Sequence, residues 1–158
     1  MRVDLFTAST SRFKKFGKMA APDAAEDVSG KLILDDVLAK GHECRYQLIM
    51  DGIAPIRDSV QESDADCIII CGGTGITKLD LTLEAVEPLY EKKLPGFGEL
   101  FRLRSFDEVG TRSILTRASA GIITGKPVFC IPGSPNAAKI GSELILAELN
   151  HIIKHIRE

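Results

Sequence analysis

Residues 67–84 read CIIICGGTGITKLDLTLE. Cys67–Cys71 is a short apolar run with no alternation, the pattern of a strand buried on both faces. It breaks into Gly72-Gly73-Thr74-Gly75 and resumes as a helix from about Leu81. Strand, glycine turn and helix place free backbone N–H groups and a helix N-terminus where an anion can sit. Asp80 follows the turn. An acid beside a phosphate cradle points to a bridging divalent cation, Mg²⁺. A tight turn with Asp80 as a helix cap accounts for the same residues, and the stretch alone does not separate the two.

The chain around it has 158 residues, 44% hydrophobic and 27% charged, the composition of one soluble domain able to bury a substantial core. A net charge of −2 provides no basic face for nucleic acid. No apolar run approaches the ~20 residues of a membrane span, and the first residues read as a strand start, so a cytoplasmic protein is expected. Cys67 and Cys71 fall on one face of one strand, and no nearby histidine completes a zinc set. Cys67, Cys71 and Cys130 are therefore read as small apolar core residues, a reading that leaves Cys44 open.

In chain order, Arg2–Thr7 alternates as a first strand. Arg12–Glu26 shows neither helical nor strand period and is expected as a long loop. Its Arg12, Lys14, Lys15 and Lys18 suit either a polyphosphate or plain solvent. Asp27-Val28-Ser29-Gly30 opens a helix to about Lys40, with Asp27 or Ser29 as cap. Cys44–Ile49 reads as the second strand, and Asp51 follows at its carboxyl end. In an open parallel sheet that edge lines the ligand crevice, although Asp before Gly is also an ordinary turn. A helix from Pro55 to Ser63 precedes the central strand, and Thr82–Tyr90 forms the helix after it. Lys93–Arg102 (KLPGFGELFR) is expected as a loop ending in an amphipathic turn, and Ile114–Ala120 as a short helix. Gly121–Thr124 and Pro127–Ile131 are two strands of a hairpin around Gly125-Lys126. Pro132-Gly133-Ser134-Pro135-Asn136 repeats the central pattern of strand, glycine turn and helix start. Ser134 suits the N-cap and Pro135 the first helical position. Ala137–Ile156 is helical, with Ile140, Leu144, Ala147, Ile152 and Ile156 as its apolar stripe. His42, His151 and His155 have no neighbouring Ser or Cys set as a nucleophile, which argues against a triad. The sum is a three-layer α/β/α domain over residues 1–158, mostly parallel, with an antiparallel edge hairpin.

The ordered set GGTG, Asp80-Leu81-Thr82, Glu84-Ala85, PGFGELFR, Thr116-Arg117-Ala118, Ala120-Gly121 and PGSPNA resembles the MoaB/Mog family of molybdenum cofactor biosynthesis. The likeness includes Asp27-Val28-Ser29-Gly30 and Asp51 and runs over almost the whole chain. It implies a molybdopterin-binding fold, also found in gephyrin-like proteins. It further implies Mg-ATP-dependent adenylylation of molybdopterin's terminal phosphate, and assembly as a homotrimer or a hexamer of trimers. The two aspartates essential in active members fall on Asp51 and Asp80.

On that resemblance, Gly72, Gly73, Thr74 and Gly75, with Thr82, would receive phosphate. Asp51 and Asp80 would hold Mg²⁺ or orient the attacking phosphate. Pro132, Gly133 and Ser134 would form a facing wall, with Ser134 or Asn136 on the nucleotide or pterin. Arg117 would pair with phosphate or, alternatively, with an acid such as Glu108, and Glu99 would stand at a subunit edge of the site. Three positions depart from the family pattern. Leu79 stands where an arginine is usual, with Lys78 before it; Leu83 replaces a proline; Ser9 and Thr10 replace an acid after the first strand. These departures keep a second expectation open, a non-catalytic protein that binds molybdopterin or its precursor.

Overall fold

The computed structural model describes residues 1–158. Strand β1 (Arg2–Ala8) pairs in parallel with both β2 (Glu43–Ile49) and β3 (Cys67–Cys71). Parallel to β3 on its other side runs β6 (Lys126–Ile131), followed outward by antiparallel β5 (Ser119–Ile123) and the two-residue β4 (Lys92–Lys93). The strand order is β2-β1-β3-β6-β5-β4.

Alternation along the central strands divides the core in two. Val3, Leu5, Cys67, Ile69, Cys71, Phe129 and Ile131 face one side, where they meet α2 (Val28–Ala39), α5 (Pro95–Val109) and α6 (Pro135–Arg157). Phe6, Ile68, Ile70, Val128 and Cys130 face the other, against α3 (Ile53–Glu62) and the short α4 (Thr82–Val86). All five residues of β3 are buried, as an unalternating apolar run requires. Each fully buried Ile, Leu or Phe contributes roughly 1.5–3 kcal/mol, so the central strands carry much of the fold. Cys67, Cys71 and Cys130 are core residues and Cys44 is partly buried; burial pushes the thiols of Cys44, Cys71 and Cys130 up to about 12. No helix is long and apolar enough to cross a membrane.

Several elements differ from their sequence expectation. The segment read as an unstructured loop holds α1 (Thr10–Phe16) and a 3-10 turn at Asp23–Ala25. Ser9 caps α1 by accepting from the Arg12 N–H, Gly17 ends it, and Phe13 and Phe16 reach the core. The segment read as loop and amphipathic turn is the start of the 15-residue α5. Phe97 anchors it between Phe101 and Phe129, with ring centroids 6.1 and 5.1 Å away. The short helix expected at Ile114–Ala120 is a 3-10 turn, Gly110–Leu115, running into β5. The helix expected from Thr82 to Tyr90 is α4 followed by a 3-10 turn at Glu87–Leu89. The hairpin turn falls one residue earlier than expected, on Thr124 and Gly125, whose φ values of 46° and 72° suit a tight antiparallel turn. On α6 the buried stripe is Ile145, Leu149 and Ile153 with Ile140, whereas Ala147 is exposed.

Candidate active site

β1 is hydrogen-bonded to β2 on one side and β3 on the other, so the chain reverses its winding direction there. Ligand crevices in open α/β sheets form at the carboxyl ends of strands at such a point. Four connections emerge along this rim: Ser9 after β1, Asp51 after β2, Gly72–Asp80 after β3 and Pro132–Ser134 after β6.

The β3–α4 turn is shaped by close packing. Gly72 has φ +99°, and a Cβ there would strike the Ala8 carbonyl; Gly73 has φ +65°, and a Cβ there would strike the Thr82 hydroxyl and Asp51 Oδ2. Only glycine fits both positions. Thr82 closes the turn from below, its N–H donating to the Gly73 carbonyl at 2.9 Å and its hydroxyl to the Gly72 carbonyl at 2.8 Å. It is fully buried, so its hydroxyl braces the turn from within rather than lying at its surface.

Asp51 and Asp80 both come to this turn. Asp51 Oδ1 accepts from the Leu81 N–H at 3.1 Å while its Oδ2 rests against Gly73. Asp80 Oδ2 accepts from the Thr77 N–H at 2.9 Å and the Thr77 hydroxyl at 2.6 Å, beside Gly75. Asp80 is thus not the cap of α4; the capping position is Leu81, whose N–H is held by Asp51 instead. Each carboxylate has one oxygen tied to the loop and one left over. Burial pushes the Asp51 carboxyl above its ordinary value, the Leu81 N–H opposes this, and the charges of Asp80 and Glu84 add to the rise. Such a carboxyl is short of positive charge.

Arg117 borders the same turn. Its Nε donates to the Thr74 carbonyl at 2.9 Å, and its Nη1 pairs with Glu84 at 2.7 Å. The acid foreseen as its alternative partner was Glu108; the acid it meets is Glu84, whose carboxyl it holds below the usual range. Thr74 itself is buried. Glu99 is exposed on α5 and lines, with Arg117 and Arg102, a cavity of about 500 Å³. Lys78 is exposed on the turn without an acidic partner.

The second wall packs against the first. The Gly72 N–H donates to the Ile131 carbonyl at 2.9 Å, and a Cβ on Gly133 would lie 3.3 Å from Gly72 Cα. Ser134 caps α6 by accepting from the Ala137 N–H, and Gly133, Ser134 and Asn136 are exposed at that helix start. Sequence reasoning missed what holds this wall. Asp27 is the cap of α2 and also accepts from the Tyr46 hydroxyl at 2.8 Å, while Ser29 donates to the Gly133 carbonyl at 2.8 Å. Burial and the neighbouring Asp27 raise the Tyr46 phenol above its usual range, which keeps it a donor. Local sequence gives Ser29 only a capping role, and the sole pointer to more is the place of Asp27-Val28-Ser29-Gly30 in the family resemblance.

Residues 6–151 match the family described as "Probable molybdopterin binding domain". The chain belongs to the MoaB/Mog family. Within it, the chain is 42% identical to a Pyrococcus furiosus protein named molybdopterin adenylyltransferase, over 91% of this chain and 92% of that one. It is 40% identical to molybdenum cofactor biosynthesis protein B of Bacillus subtilis, over 84% and 82%. Among solved structures it superposes on the tungsten cofactor synthesizing protein MoaB from Pyrococcus furiosus with a TM-score of 0.87 and 40% identity, covering 99% of this chain and 97% of that one. The MoaB/Mog fold of these relatives is the three-layer α/β/α architecture described above, with its mostly parallel sheet and antiparallel edge strands.

Proposed function

We propose that this protein adenylylates molybdopterin in molybdenum or tungsten cofactor biosynthesis. The terminal phosphate of molybdopterin attacks the α-phosphorus of ATP; a new P–O bond forms to that phosphorus, its bond to the bridging β-phosphate oxygen breaks, and pyrophosphate leaves. Support comes from relatives about 40% identical that carry this name. The single observation that carries it to residues is the meeting of Asp51 and Asp80 on one glycine turn.

Joining two anions is a problem of position and charge. The N–H groups of the Gly72–Gly75 turn and the start of α6 at Gly133, Ser134 and Asn136 face phosphoryl oxygens from two sides. Thr82 keeps the first turn in shape, and Ser29 keeps the second wall beside it. Arg117 holds Thr74 in place, and Lys78 supplies a cation where Leu79 supplies none. The donor set fits Mg²⁺, which binds through one or two carboxylates and completes its shell with water and substrate phosphates. Asp51 Oδ2 and Asp80 Oδ1 are the oxygens that would hold it, and bound there it would neutralise the phosphates as charge develops. The raised Asp51 carboxyl is the group such a cation would relieve.

The reading includes cytoplasmic location, one domain over residues 1–158, and assembly as a homotrimer or hexamer. Leu100, Leu103, Phe106 and Val109 expose an apolar stripe along α5, continued by Ile114 and Leu115, which favours association with further copies. Sedimentation equilibrium giving a stable monomer would count against that part.

The test of the activity is incubation with molybdopterin, Mg²⁺ and ATP labelled at the α-phosphate. Labelled adenylyl-molybdopterin is the expected product. A second reading, binding without turnover, is favoured by Leu79, which is 68% exposed where a cation would serve the phosphates. Pterin that binds but never acquires label would establish that reading instead.

A further inference from the structure

His151 and His155 lie far along α6 from its active-site end and take no part in the reaction proposed above. Four residues apart, they stand on one face of the helix, both exposed. Their Nε2 atoms are 3.2 Å apart, with the rings at 87° and centroids 4.4 Å apart. On its other side, His155 Nδ1 lies 3.1 Å from Glu158 Oε2. These contacts order the protons of the neutral pair. With Nδ1 of His155 donating to the Glu158 carboxylate, its Nε2 is a bare acceptor, and His151 Nε2–H is the donor that points at it.

We infer that His151 and His155 form a chelating site for a divalent transition-metal ion of the zinc, nickel or copper class. Glu158 orients His155 in this site. Imidazole pairs select such ions over Mg²⁺ or Ca²⁺, which prefer oxygen. The spacing matches: an ion about 2.0–2.1 Å from each nitrogen, in square or tetrahedral coordination, separates the two by roughly 2.9–3.4 Å. A carboxylate on the far nitrogen is the usual support of a metal-binding histidine, since it fixes the tautomer and raises basicity. On binding, His151 moves its proton from Nε2 to Nδ1, which leaves the Nε2 lone pair free for the ion. The end of a helix presents carbonyl oxygens that favour a cation. Of the two flanking cations, Arg157 is engaged by Asp66 at 2.7 Å, leaving Lys154. No third histidine, cysteine or acid completes the set, so water fills the other positions and the site stays open to a further ligand.

Calorimetric titration of the untagged, metal-free protein with zinc or nickel chloride near neutral pH tests this. One ion per chain is expected. His151→Gln and His155→Gln should each weaken it by on the order of tenfold or more, as loss of a chelating arm does, and Glu158→Gln by up to about tenfold. The double histidine variant, with neither ligand left, should show no ion bound. Circular dichroism checks that each variant is folded. Single variants that bind as tightly as the parent, or a double variant that keeps its ion, would overturn the assignment.

Discussion

The two glycine turns at the rim look alike in sequence and are built on opposite principles. The β3–α4 turn bends through two left-handed glycines, carries the Asp80 carboxylate with that of Asp51 packed against it, and leads into a helix of only five residues. The β6–α6 turn has no left-handed residue and no acid, and enters a 23-residue helix through a serine cap. The first concentrates strain and negative charge; the second offers a long helix's positive end, worth about 0.3–1 kcal/mol to a nearby anion. One side therefore suits a metal and the reacting phosphates, the other a passive hold on the same ligand. The difference teaches that a motif of strand, glycine and helix states where a ligand goes, while the residues packed beneath it state what each side does.

The comparison breaks most sharply at the carboxylates. Asp51→Asn and Asp80→Asn should each lower the rate of labelled adenylyl-molybdopterin formation by on the order of 10³-fold, as loss of a principal charge-stabilising group does. Pterin binding should survive, because an amide oxygen still accepts from the Leu81 N–H or from Thr77. Full activity in either variant would remove the metal-handling role from the β3–α4 turn. Alanine at the glycines measures strain instead. Gly73→Ala should destabilise by roughly 2–3 kcal/mol in urea unfolding, from left-handed backbone and collision with Thr82 and Asp51 together. Gly133→Ala, at an ordinary backbone angle and with its new methyl 3.3 Å from Gly72, should cost less than about 1 kcal/mol. Equal effects would show that the turns are not so different.

Ser29→Ala sharpens the picture of the passive wall. Stability should drop by about 1 kcal/mol, and KM for ATP should rise several-fold with kcat nearly kept, because the wall drifts while the carboxylates stay. The smallest effect is in pH. The Asp51 carboxyl is raised in the folded protein, so the folded state holds its proton more tightly than the unfolded chain does. This group therefore favours folding below the ordinary aspartate range, and the benefit is lost as pH rises through its raised folded value. Thermal melts across the carboxylate range should show a shallower decline in Asp51→Asn, and addition of Mg²⁺ should flatten the slope in the parent.

The sheet was legible because its strands obey simple patterns: Cys67–Cys71 is apolar throughout, and β1 alternates into two cores. The glycine turns and the position of Asp51 were legible for the same reason, each lying just past a strand's end, whereas Asp80 stood out only as an acid following the glycines. Where reading failed, local signal was absent. Helix α1 has just Phe13 and Phe16 among lysines, and its cap at Ser9 was hidden in a run of hydroxyls. Helix α5 buries Phe101 and Ser105 yet also exposes an apolar row, Leu100, Leu103 and Phe106, so its apolar residues do not collect on one core-facing side. The start of β5 took helix-forming residues into a strand because β6 pairs with it, Ser119 opposite Cys130 and Ala120 opposite Phe129. The bonds of Asp51 to Leu81, Arg117 to Glu84 and Ser29 to Gly133 join residues 30 or more positions apart, which no local pattern announces.

That last bond spans 104 positions and has a consequence for how the molecule comes into being. The rim draws on the ends of the first, second, third and sixth strands and on the helix that starts at Val28, so no fragment that stops short of Gly133 contains the whole cleft. Contacts between such remote parts of a chain close late. During synthesis, then, the rim is complete only once the residues from Gly133 onward have emerged and settled, well after most of the secondary structure is in place.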